Sequence, residues 1–169
     1  MHRRRLLALP LAVSVAACSI APDYDHNGDD APRFDAAQAR PARMAWVFSS
    51  GGPRGFVHVG VLRALEELGL RPDLIVGGSV GALVGALYAS GIGAERLQAM
   101  ALDLGMSDMG RLAVTGEGRF AGTPIAELIN REVAHRPIEK LPARFAAAVI
   151  QRDTRTPMLF NAGNAGLAV

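Results

Sequence analysis

The chain has 169 residues, half of them hydrophobic and a fifth charged. That is about one domain's length with apolar matter enough for a core, and it excludes a disordered chain. Eighteen Lys and Arg against sixteen Asp and Glu leave a net charge of +2, too small an excess for a nucleic-acid footprint. One cysteine excludes an intrachain disulfide framework and a multi-cysteine metal cluster.

Residues 1–17 read as a targeting segment. His2-Arg3-Arg4-Arg5 is basic, and Leu6 to Ala17 is apolar apart from Ser14 and is broken by Pro10. The run is too short to span a bilayer as a helix and fits a signal-peptide core. Val15-Ala16-Ala17-Cys18 resembles a bacterial lipobox, in which small residues precede a cysteine that becomes lipidated. The bland alternative is a plain signal peptide with a chance Cys18. Cleavage before Cys18 removes three arginines and no acid, so the remaining 152 residues carry a net charge of −1. An acylated Cys18 would hold the protein on a membrane. Ser19, and not Asp, follows it. By resemblance to enterobacterial lipoproteins, that favours the outer membrane, facing the periplasm.

Residues 18–42 read as a flexible, lipid-anchored tether. They are rich in Asp, Ala, Pro, Asn and Gly and show no hydrophobic period. Asp23, Asp25, Asp29 and Asp30 cluster there, but the segment through Gly28 lacks the Glu six residues later that a calcium loop uses. A solvated linker is the simpler reading.

The folded part is expected over 43–169. Met44 to Phe48 is a short apolar run, read as a buried strand, and Ser49 to Gly55 is a turn. Residues 56–68 carry Val57, Val61, Leu62, Leu65 and Leu68 at helical spacing, stopped by Gly69. Leu74-Ile75-Val76 is a second strand, and Ser79 to Ala89 a small, apolar helix buried on a sheet. Residues 94–104 read as a helix and 105–122 as loop. Leu102, Leu104, Met106 and Met109 there are candidates for lipid contact, with ordinary packing the plainer account. Thr123 to Ala134 reads as a helix capped by Thr123 with Pro124 at its first position. Phe145 to Ile150 and Met158 to Phe160 read as strands, and 161–169 as the approach to a further helix. This order implies an α/β fold with a mostly parallel sheet.

Two motifs carry chemistry. Gly77-Gly78-Ser79-Val80-Gly81 matches G-x-S-x-G between a strand and a helix, the context of a nucleophile elbow. A sharp turn there exposes the serine hydroxyl at a helix N-terminus, and flanking glycines keep side chains clear. The plain alternative is a tight strand-to-helix turn. The second motif is Gly51-Gly52-Pro53-Arg54-Gly55. It lacks the spacing of a dinucleotide fingerprint and the G-K-[ST] of a P-loop. Its amides suit an oxyanion instead, with Gly51, Gly52 and Arg54 as donors and Val80 completing the hole.

Together, S-G-G-P-R-G-F-V-H-V-G-V-L-R-A-L-E-E-L-G and D-L-I-V-G-G-S-V-G-A-L-V-G-A-L-Y-A-S-G resemble the patatin-like phospholipase family over residues 44–169. The resemblance implies a three-layer α/β/α fold, lipid or lysophospholipid substrates, no cofactor and no metal. It also implies acyl-ester hydrolysis through a Ser–Asp dyad with Ser79 as nucleophile. Ser50 stands where the family usually has a first glycine. The family's aspartate lies in a D-G-G or D-G-A motif beyond the nucleophile, and no such Asp-Gly occurs here. Asp153 resembles a different segment, after a central strand. On this reading the chain is incomplete at its C-terminus and inactive alone.

Two alternatives stand beside this. One is a non-catalytic lipoprotein. The other is a Ser–His acyltransferase, which needs a histidine. His135 is the only one after Ser79 and reads as a surface residue at a helix end, and His58 reads as structural.

Overall fold

The computed structural model describes residue 28 and residues 30–103, 122–151 and 153–169. The targeting segment, Cys18 and most of the expected loop lie outside the described residues.

Strands β1 (Ala45–Phe48), β2 (Leu74–Gly77), β3 (Phe145–Ile150) and β4 (Pro157–Phe160) form one sheet in the order β1-β2-β3-β4. The first two pairings are parallel, and each strand-to-strand connection runs through helix. β4 is antiparallel to β3. Only six residues separate Ile150 from Pro157, too few for a parallel crossover, so a hairpin is the one closure available. The chain carries helices α1 (Phe56–Glu67), α2 (Val80–Ala89), α3 (Ala94–Asp103), α4 (Gly122–Glu132) and the short α5 (Ala165–Ala168). Helix α4 starts at Gly122, so Thr123 and Pro124 lie within its first turn.

Helix α2 organises the core. Its sequence has no polar face, and residues 84–89 are all buried. It packs on β1, β2 and β3, with α1, α3 and α4 around it. Strand alternation sends Trp46, Phe48, Ile75, Phe145 and Ala147 into that cluster. The opposite face carries Val47, which is 72% exposed. With strand order advancing in one direction, right-handed crossovers place both helical connections on the same face. The fold is α/β with a mostly parallel sheet, and among the described residues the helices gather on one side of it.

Residues 30–42 do not behave as the expected tether. Arg33 pairs antiparallel with Ala162, just past β4. Asn161 brackets the backbone of Asp35: its Oδ1 accepts from the Asp35 amide at 2.7 Å and its Nδ2 donates to the Asp35 carbonyl at 3.0 Å. The Asn164 amide donates to the Asp30 carbonyl at 2.8 Å. Arg144 then donates to the carbonyls of Arg40 and Pro41 as the segment travels to β1. It is a strap, held through its backbone, which is why no hydrophobic period announced it.

Asp73 secures the start of β1 by accepting from the amides of Arg43 and Met44, both at 2.9 Å. These bonds, Met44's first, hold its carboxyl below the ordinary value of 3.8. A depressed carboxylate stabilises the fold above its unfolded pKa, and that contribution disappears as pH falls through the folded value. Urea unfolding across pH should therefore show Asp73→Ala less stable than wild type near neutrality, with the gap closing below 3.8. Asn161→Ala should lower stability by about 1–2 kcal/mol and speed hydrogen exchange at the Asp35 amide.

Candidate active site

β2 ends at Gly77 and α2 begins at Val80, so the chain reverses from strand to helix in two residues. Ser79 takes the bend, with φ 53° and ψ −125°. A non-glycine residue held there costs about 1–3 kcal/mol and persists only where its surroundings over-determine it. They do so here. The Gly78 amide donates to the Phe48 carbonyl at 3.0 Å, and the amides of Gly81 and Ala82 donate back to the carbonyls of Gly78 and Ser79 at 2.9 and 2.8 Å. A Cβ on Gly81 would strike the carbonyls of Phe48 and Ser49, and one on Gly77 would strike the Gly81 carbonyl. These two positions admit only glycine. Gly78 is different: a Cβ there would lie 3.7 Å from the Ala148 carbonyl, an ordinary contact.

A serine at a helix start usually caps it. Ser79 makes no side-chain cap bond and is exposed, so its hydroxyl is free for chemistry at the positive end of α2. Val80, first residue of α2, has an amide with no intrahelical acceptor.

The glycine turn lies alongside. Phe48 pairs with Gly77 in parallel register, so the turns that follow β1 and β2 leave the same edge of the sheet. This is the crevice beyond the carboxyl ends of the strands. Gly51 leads into a tight turn at Gly52–Gly55, and Gly55 rests against the Val80 side chain. The Arg54 amide donates to the Gly51 carbonyl at 3.2 Å and is thereby engaged within the turn. Of the expected donors, Gly51, Gly52 and Val80 remain. His58 supports the approach to this turn. Its Nε2 lies 2.9 Å from the Ser49 carbonyl, and its ring centroid is 5.3 Å from that of Phe48. Only tertiary structure reveals that pairing across nine residues.

The other candidates stand apart. His135 is exposed just past the end of α4. Asp153 is exposed in the β3–β4 turn, beyond Ile150. β3 is level with Gly77 at Ala147, so Ile150 already lies about 10 Å further along the strand direction. Among the described residues no acid is hydrogen-bonded to Ser79, no group of three or more His, Cys, Asp or Glu is placed to hold a metal, and no helix is long and apolar enough to cross a membrane.

The family model described as Patatin-like phospholipase matches residues 46–166. Patatin-like phospholipase domain-containing protein 6 of Mus musculus is 45% identical over 104 residues, which is 58% of this chain and 8% of that protein. Lysophospholipase nte1 of Aspergillus fumigatus is 56% identical over 43 residues, 25% of this chain and 3% of that protein. The chain thus spans less than a tenth of the length of these relatives. Among solved structures, the type III effector protein ExoU superposes with a TM-score of 0.51 at 18% identity, covering 77% of this chain and 39% of that one. That likeness is one of fold.

The steric contrast within the elbow is testable. Gly81→Ala should prevent stable folding or lower stability by several kcal/mol, because backbone must move. Gly78→Ala should stay within about 1 kcal/mol of wild type in urea unfolding.

Proposed function

The chain belongs to the patatin-like phospholipase family, and from that premise we propose that it serves a serine hydrolase cutting acyl esters of membrane lipids or lysophospholipids. Ser79 Oγ attacks the ester carbonyl carbon, and an aspartate accepts its proton in a Ser–Asp dyad. The amides of Gly51, Gly52 and Val80 hold the tetrahedral oxyanion, the alcohol leaves, and water releases the acyl group from Ser79. No cofactor or metal enters the scheme. The observation that carries this reading is the φ 53° of an exposed serine that does not cap its own helix. That geometry is costly, and a mere connection between strand and helix has no use for it.

The aspartate is the incomplete part. Asp153, at the hairpin turn, is poorly placed for it. This observation favours a second reading, a non-catalytic lipoprotein that keeps the elbow without the dyad. A Ser–His acyltransferase draws no support from His135 at its exposed helix end.

The same proposal places the protein in a bacterial cell envelope, held on the outer membrane through an acylated Cys18 and facing the periplasm. The motif at 15–18 and Ser19, in place of Asp, after the cysteine support this.

In the protein as its gene encodes it, Ser79→Ala should reduce lysophospholipid and short-chain ester hydrolysis to background while leaving thermal unfolding within a few degrees of wild type. Unchanged activity would overturn Ser79 as the nucleophile, and no activity in either form would favour the non-catalytic reading. Cys18→Ser should abolish incorporation of labelled fatty acid.

A further inference from the structure

A run of serines and glycines has little conformation of its own. Ser49-Ser50-Gly51-Gly52 leads from β1 to Pro53, and Gly52 stands at φ 52°, where side chains are rarely accepted. An oxyanion hole needs the opposite property. Its donors must already face the place where charge develops, because reorganising them during the reaction forfeits the gain. The turn must therefore be braced.

Contacts at its middle and at both ends do this. Within the turn, the Gly51 carbonyl accepts from the Arg54 amide at 3.2 Å. At its exit, Gly55 is pressed on the Val80 side chain with no room for a Cβ. At its entrance, the Ser49 carbonyl is met by His58, the third residue of α1, whose Nε2 lies 2.9 Å away. The half-buried imidazole packs on Phe48, with ring centroids 5.3 Å apart and planes tilted by 44°. A carbonyl oxygen only accepts, so Nε2 carries the hydrogen, and imidazole and imidazolium can both donate from it. The same carbonyl lies beside Gly81, where an added Cβ would come within 2.7 Å of it. The Ser49 peptide is thus lodged against the first turn of α1 and the first turn of α2, just ahead of Gly51.

We propose that His58 is a positioning residue for the ester hydrolysis assigned to Ser79. By donating from Nε2 to the Ser49 carbonyl it fixes the direction in which the glycine turn leaves β1, and so aims the Gly51 and Gly52 amides at the oxyanion. The inference deepens the hydrolase reading and rests on it. The role differs from that of a base: an Nε2 that carries its hydrogen toward Ser49 has no lone pair with which to take the Ser79 proton. A misplacement of about 1 Å at a reacting centre can cost about 10²-fold in rate. The donors engage the transition state more than the bound ester, so the loss falls on kcat and not on KM.

The test uses the whole protein as its gene encodes it, with lysophospholipid as substrate. His58→Phe keeps a planar ring beside Phe48 and removes the donor. His58→Gln keeps an N–H donor of similar reach and supplies no base. The expected result is a kcat about 10–100-fold lower in His58→Phe with KM within about threefold of wild type, and a kcat within about threefold of wild type in His58→Gln. A trifluoromethyl ketone, which forms a tetrahedral oxyanion on the serine, should lose affinity for His58→Phe by the same factor as kcat/KM. A non-hydrolysable ether lysolipid should bind all forms alike. Wild-type kcat in His58→Phe would overturn the proposal. Equal loss in His58→Gln and His58→Phe would overturn it in favour of proton transfer by the imidazole, and a raised KM at constant kcat in favour of substrate binding. Nitrogen-15 NMR of the unsubstituted protein needs no variant to fold. On the alkaline side of the imidazole titration the hydrogen of His58 should sit on Nε2, and hydrogen on Nδ1 alone would overturn the contact. Absence of turnover in the unsubstituted protein would overturn the hydrolase reading and this role with it, whereas the other outcomes, seen beside an active wild type, overturn the role alone.

Discussion

Everything at the candidate site depends on how closely the first turn of α2 approaches the end of β1. Gly81 sits against the carbonyls of Phe48 and Ser49 with no room for a Cβ, and the Gly78 amide is bonded to Phe48. That contact holds Ser79 in a conformation that it would not adopt alone. It also ties the elbow to the strand from which the glycine turn springs, so two loops remote in sequence share one crevice. The position of the glycine-turn amides relative to Ser79 is thus a consequence of parallel pairing between β1 and β2 in register Phe48 to Gly77.

The rest of the described fold serves that contact. Helix α2 can lie close on the sheet because its sequence is small and apolar on every side. The surrounding helices, with Leu62, Leu97 and Ile129 buried among them, shield its remaining faces. Glu66 accepts from the Ala94 amide at 3.2 Å, which links the end of α1 to the start of α3. His58 acts at shorter range, holding the Ser49 carbonyl and so the chain that enters the glycine turn. The strap works at the opposite edge, pairing with Ala162 just past β4.

Much of this is legible in the residues. Strand and helix spans follow from apolar period and from glycine stops. G-x-S-x-G between Leu74-Ile75-Val76 and an apolar helix identifies Ser79 as the exposed turn residue, because that turn chemistry is local. The antiparallel return of β4 onto β3 was not read from the sequence, although the six residues between Ile150 and Pro157 leave no room for a crossover. Neither was the strap. Its bonds run from backbone to residues more than a hundred positions away, and no side-chain pattern encodes them. Nor was the engagement of Arg54, whose amide is taken by the Gly51 carbonyl once the turn tightens.

The sequence by itself determined the local chemistry: a serine between glycines, a run of amides beside it, and a helix with no polar face to bury it under. Those outcomes rest on steric and periodic rules that operate within a few residues. Tertiary structure alone decided which amides remain free, that His58 meets Ser49, and that residues 30–42 form a docked strap. Each of these depends on distance between parts far apart in the chain, which only the pairing of strands and the packing of α2 could fix.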